Sequence, residues 1–281
     1  MLRDKPLIIF FMIAFLIPII AVVIVTVIYG LQTGLVTNQL SLTSLIVVLA
    51  MVHAPLVAAM ISAYVDERAE GLKNLFRGLK HWRFKAEWYV RALLIFPLSI
   101  LASLLIMSLF SDNYTPAFFI SILVVGTFIS ALWEEVGWTG FATPRMLKRL
   151  SPLKVGLSLG FIHWLWHLAA DFWGSSAFYE EIYLYAIHAL LWLIGLLVLR
   201  IITLWIYVRT NSLVLGWLTH FSYTGGQLLL VPLSLTAIET LLWNSVFVIL
   251  LLFVMLLLLG LNTDFRNYWR SGENWSSDFP G

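Results

Sequence analysis

The chain has 281 residues, of which 61% are hydrophobic and only 11% charged, with a mean hydropathy of +0.93 and a formal net charge of +2. Soluble proteins carry about 25% charged residues. One water-soluble core cannot hide this much apolar surface, so the composition excludes a soluble domain and calls for lipid as the outer solvent. The absence of cysteine excludes a disulfide framework, a thiol nucleophile and a cysteine-built zinc site.

A spanning helix needs about 20 mostly apolar residues. Such stretches fall near 7–29, 41–64, 90–111, 117–141, 155–173, 182–208, 212–233 and 239–261. The expected fold is all-α: a polytopic membrane protein of about eight transmembrane helices, with residues 1–262 as a single transmembrane domain and 263–281 as a polar cytoplasmic tail. The first stretch has no small-residue cleavage motif after it and reads as a retained helix. Between the second and third spans, Leu72, Leu75, Phe76, Leu79 and Trp82 recur at helical spacing among basic residues. That pattern predicts an amphipathic helix on the inner membrane surface.

Orientation follows from lysine and arginine. With the N-terminus inside, Arg3 and Lys5, the basic loop 65–89, Arg145, Lys148, Arg149 and Lys154, Arg209, and Arg266 and Arg270 all lie at the cytoplasmic face. The opposite loops hold Asp112, Glu180, Glu181 and Glu239. Both termini are therefore expected to be cytoplasmic. Arg200 is the exception, placed inside the sixth span.

A charge at mid-membrane costs about 2.5–3.5 kcal/mol even on a lenient scale, so such residues face the protein interior and usually serve a function. The fourth span holds Glu134 and Glu135 in ALWEEVGWTGF, and the fifth holds His163, His167 and Asp171 in GFIHWLWHLAADFW. The seventh holds His220, the sixth His188 and Arg200, and the second His53. At 1.5 Å per residue, Glu134 lies about 10 Å in, His163 and His220 about 12 Å, and His167 about 18 Å. One cluster in the inner half of the bilayer is allowed. A carboxylate beside an imidazole can take a proton from water and direct the oxygen at a carbonyl. A second imidazole can donate to the developing oxyanion. His163, His167 and Asp171 also form an i, i+4, i+8 stripe that, with Glu134, can hold a metal. His53 and His188 read as structural.

At these residues the sequence resembles the CAAX protease and bacteriocin-processing (CPBP) family of intramembrane proteases. EEVGWTG reproduces the family's Glu-Glu motif with Thr139 in the place of its arginine. Trp166 and His167 match the second motif, with His163 at its usual aromatic position, and RTNSLVLGWLTHFSYT supplies the last, with His220 and, in the amide position, Thr224. The likeness covers about residues 117–230. It implies that Glu134 activates water with His167 as partner, that His220 stabilises the oxyanion with Thr224 in the companion position, and that Glu135 supports the site. Arg200 is a candidate for the missing cation, against the alternative that it snorkels to the interface.

The resemblance implies an intramembrane endopeptidase acting on a membrane-embedded or lipidated peptide. No cofactor is expected, although zinc at Glu134, His163 and His167 is a possibility, and no nucleic-acid partner is expected. Lack of cysteine and a compact chain point to a prokaryotic plasma membrane. Two other readings stand beside this one: a catalytically silent member of the same fold serving as immunity factor or scaffold, and a proton-coupled carrier, against which the lack of repeated halves or paired broken helices counts.

Overall fold

The computed structural model describes residues 5–29, 42–120 and 122–261. The expected polar tail lies outside them. In lipid every backbone N–H and C=O must be satisfied within the chain, which leaves helices as the economical solution for apolar runs of this length. The described residues accordingly form α1 (Lys5–Tyr29), α2 (Leu42–Leu75), α3 (Ala86–Ser108), α4 (Ile122–Glu135), α5 (Thr143–Leu147), α6 (Pro152–Ser175), α7 (Ile182–Thr210), α8 (Leu213–Leu230) and α9 (Ala237–Leu261). A π-helical segment, Val136–Ala142, joins α4 to α5.

Each of the eight expected spans contains a long helix. Among the described residues, six helices are long and apolar enough to cross a membrane. The other two are α6 and α8, and these carry His163, His167 and His220. Polar side chains lower their hydropathy, and their neighbours, not lipid, receive those faces. Apolar residues of α1 and α9, such as Val27 and Leu256, are exposed outward as lipid-facing surfaces require.

Two expectations change in detail. The fourth span begins later than 117, because residues 115–120 are not helical. The N–H groups of Ala117 and Phe119 instead donate to the carbonyls of Leu230 and Leu229, both at 2.9 Å. Those carbonyls are orphans at the end of α8, so the extended segment caps that helix. The loop after the second span does not form one surface helix. α2 breaks at Glu67 and Arg68, where Arg68 takes a φ of 54°, continues to Leu75, and is followed by a 3₁₀ turn at Arg77–Lys80. Leu72, Leu75, Phe76 and Leu79 pack onto the protein core, while Trp82 is exposed.

α6 lies along α7, and α8 is surrounded by α3, α4 and α7. Small residues allow close approach, as membrane helix interfaces favour. A Cβ added at Gly160 of α6 would meet the Leu197 backbone of α7 at 2.8 Å, and one at Gly137 would meet Pro55 of α2 at 2.7 Å. The first contact sets α6 close against α7, and the second sets the π-helical segment after α4 against α2.

Candidate active site

The turn between α7 and α8 sets the level of two site residues. α7 ends at Thr210, Asn211 adopts the left-handed conformation (φ 49°) that commonly closes a helix, and Ser212 caps α8 by accepting from the Leu215 N–H at 3.2 Å. Arg200 then lies roughly 15 Å up α7 from the turn and His220 roughly 12 Å up α8, at 1.5 Å per residue. The antiparallel pair thus presents both at the same depth.

On α4, Glu134 and Glu135 stand at the point where the α-helix passes into the π-helical segment, and both are buried. π-bulges recur at functional sites because they re-aim side chains within a helix. Here the Thr139 hydroxyl, four residues on, donates to Glu135 Oε2. Arg200 is 2% exposed and its fork engages the same carboxylate: Nη1 donates to Oε2 at 3.1 Å and Nη2 to Oε1. His220 Nδ1 reaches Glu135 Oε1 at 2.8 Å. The same nitrogen lies 3.4 Å from Arg200 Nη2, but the shorter contact is to a carboxylate, which only accepts, so the imidazole carries its proton on Nδ1. Both oxygens of Glu135 are therefore committed.

Glu134 has a different environment. Its Oε2 lies 3.0 Å from His163 Nε2, and 3.9 Å from both His167 Nε2 and His220 Nε2. Arg200 Nε donates to His163 Nδ1 at 3.1 Å. Guanidinium cannot accept, so His163 Nδ1 holds a lone pair and the ring proton sits on Nε2, directed at Glu134. The two 3.9 Å gaps match the span of a bridging water with ordinary hydrogen-bond lengths of about 2.8 Å. His167 has the more open side chain, 20% exposed, between Trp166 and Trp192 with ring centroids at 4.5 and 4.9 Å.

Five of the residues expected from the sequence, Glu134, Glu135, His163, His167 and His220, thus gather in one cluster, joined by Arg200. Within it His163, rather than His167, makes the direct hydrogen bond to Glu134. Thr224 lies one turn beyond His220 on α8, its hydroxyl donating to the His220 carbonyl of its own helix at 3.4 Å. The His163, His167, Asp171 stripe divides. Asp171 turns toward α7 and accepts from Tyr185 Oη at 2.9 Å and Ser175 Oγ at 3.0 Å. His188 approaches it to 3.4 Å, a partner the sequence pattern did not reveal. His53 donates from Nδ1 to the Leu49 carbonyl at 2.7 Å and packs on Trp133, in keeping with a structural role.

Glu134, His163 and His167 each offer a ligand atom, all within 4.8 Å of one another. Three ligands suit a catalytic zinc in number. The proton placement at His163 does not fit, because a metal would need the Nε2 lone pair where the Arg200 contact leaves Nε2–H. In this arrangement the cluster is built for hydrogen bonding to Glu134 and not for coordination through His163.

Two comparisons bear on this geometry. The family model for type II CAAX prenyl endopeptidase, Rce1-like, matches residues 115–225, a range that holds every residue of the cluster. A protein described as CAAX prenyl protease 2, from the archaeon Methanococcus maripaludis, is 29% identical over 133 residues. That match spans 47% of this chain and 47% of the relative, so the likeness covers about half the length of each. The paired glutamates, the two histidine helices and the α7–α8 turn of this integral membrane chain all lie inside the region that is similar to the CAAX prenyl endopeptidases.

Proposed function

We propose that the chain is an intramembrane endopeptidase that hydrolyses a peptide bond in a membrane-anchored or lipidated substrate by glutamate-activated water. The observation that carries the reading is the asymmetry of the two glutamates. Glu135 is saturated by Arg200, Thr139 and His220, whereas Glu134 keeps capacity to accept and faces two imidazoles across water-sized gaps. A group that must take a proton needs such free capacity.

In this mechanism a water between Glu134, His167 and His220 gives its proton to Glu134 while its oxygen bonds the scissile carbonyl carbon. The carbonyl π pair moves to oxygen. Protonated His220, with Nδ1–H held on Glu135, offers Nε2–H to that oxyanion. The intermediate collapses with cleavage of the C–N bond, and the proton on Glu134 passes to the leaving amine. In this scheme Arg200 balances the charge of Glu135 and a His220 imidazolium balances that of Glu134, so the cluster reacts as a neutral unit. That balance suits a buried site, where an uncompensated charge is costly.

The relative's printed name points to prenylated protein substrates, and its archaeal source agrees with a prokaryotic plasma membrane. The basic residues of the loops support a cytoplasmic position for both termini and a site toward the inner leaflet. A catalytically silent member of the family is the second reading, favoured by Thr224, whose hydroxyl is spent on its own helix. Cleavage of a quenched fluorogenic library of membrane-tethered peptides decides between them. Wild-type cleavage that is lost in Glu134→Gln and indifferent to chelator supports the glutamate mechanism. Loss with chelator would bring metal back. No cleavage by well-folded wild type would sink the protease reading in favour of the silent one.

A further inference from the structure

The chain departs from the motifs of the family it resembles at Thr139 and His163, and it carries an arginine, Arg200, buried in an otherwise apolar stretch of α7. We infer that these three features are one coupled rearrangement: Arg200 supplies from α7 the positioning cation that the Glu-Glu motif otherwise carries at position 139, and His163 transmits it to Glu134. The inference rests on the proposed role of Glu134 as the water-activating base.

The geometry supports the coupling at each link. The guanidinium uses Nη1 and Nη2 on the two oxygens of Glu135 and Nε on His163 Nδ1. A planar fork is required for this, which a lysine ammonium does not offer. By holding a donor against Nδ1, Arg200 fixes the His163 tautomer, and the only remaining N–H points at Glu134 Oε2, 3.0 Å away. An aromatic hydrocarbon at position 163 would break this chain of contacts. Thr139 completes the exchange, since its hydroxyl fills the fourth acceptor direction of Glu135 while its methyl packs close to Gly216 of α8. Thr139 is buried and bonded to Glu135, so an arginine at 139 would compete with Arg200 for the same carboxylate. Arg200 and His163 touch no reacting atom in this scheme; they act through Glu134 and Glu135 and are positioning residues.

The prediction is a reversal of sign. Thr139→Arg in the wild-type background brings a second guanidinium onto one carboxylate and is expected to abolish activity. The same change in an Arg200→Leu background is expected to recover at least about tenfold in kcat over Arg200→Leu alone, since misplacement of catalytic groups costs about 100-fold. Arg200→Gln and Arg200→Lys are both expected to lose about 100-fold in kcat with KM little changed. A folded Arg200→Gln protein with wild-type kcat would overturn the inference, as would a Thr139→Arg chain of normal activity. A second readout is independent of cleavage and is made on the wild-type chain. Nitrogen-15 NMR of histidine-labelled wild type, with His163 assigned by loss of one signal in a folded His163→Gln chain or, failing that, by elimination against single His53, His81 and His188 variants, is expected to show His163 protonated on Nε2 and bare on Nδ1. The proton on Nδ1 instead would overturn the inference. The expected tautomer in a wild-type chain that cleaves nothing would leave the coupling standing and defeat only the protease reading.

Discussion

Two polar clusters share helices α6 and α7 and solve the same problem differently. The Glu134–Glu135 cluster holds two carboxylates with one guanidinium, and its members other than His167 have side chains no more than 6% exposed. The second, toward the other end of α6, holds one carboxylate, Asp171, 13% exposed, on the hydroxyls of Tyr185 and Ser175. Its histidine, His188, stacks on Tyr179 and lies 3.4 Å from Asp171, yet neither ring nitrogen makes a hydrogen bond of good geometry. A lone, partly exposed carboxylate can be held by neutral donors. Two buried ones call for a fixed cation, here Arg200 directly on Glu135 and reaching Glu134 through His163, and its donors then also fix tautomers. That order is what a reaction needs and what a structural contact does not.

The largest difference should appear in stability. Glu135→Gln keeps the side-chain shape but leaves the Arg200 cation buried without its anion, and breaking a buried pair costs about 3–5 kcal/mol. Asp171→Asn retains an acceptor for Tyr185 and is expected to cost about 1 kcal/mol, in line with a net hydrogen bond. Thermal unfolding of both variants in the same detergent checks this. Equal losses would erase the proposed distinction between the clusters.

Next comes a rate effect confined to the first cluster. His220→Phe preserves a ring while removing the oxyanion donor, and is expected to lower kcat by about 10²–10³. Asp171→Asn should leave kcat unchanged. Steady-state kinetics on one tethered peptide separates the two, and a comparable fall in both would mean that Asp171 belongs to the catalytic machinery.

Much of this was legible beforehand, and the reason is specific. Charged residues in apolar runs are few, so Glu134, Glu135, His167 and His220 identified themselves by their cost. What stayed hidden depends on rotation about helix axes. Spacing places His163 and His167 on one stripe but does not say which ring meets Glu134, and the π-helical segment shifts the α4 register at that point. Arg200 was visible as an anomaly, while its choice between interface and interior required the position of α7 against α4. The pairing of Asp171 with Tyr185 was illegible because a tyrosine near a helix start in a membrane protein is more often an interfacial anchor.

The smallest expected effect concerns Thr224, which the resemblance puts in the oxyanion site and whose hydroxyl is turned to the backbone of its own helix. Its hydroxyl donates at 3.4 Å to the carbonyl four residues back, a contact at the long limit for a hydrogen bond. Thr224→Ala therefore removes little, and kcat should stay near the wild-type value. Thr224→Asn tests the converse. A longer amide can leave the helix backbone and present an N–H beside His220, restoring the donor that the family motif carries, and kcat should then rise. Because one donor at an oxyanion is worth about 10²–10³ when fully aligned, even partial alignment is measurable in the same tethered-peptide assay. A large loss in Thr224→Ala would show instead that the hydroxyl swings to the oxyanion during the reaction. The outer boundary of the catalytic cluster would then extend one turn further along α8 than the resting geometry places it.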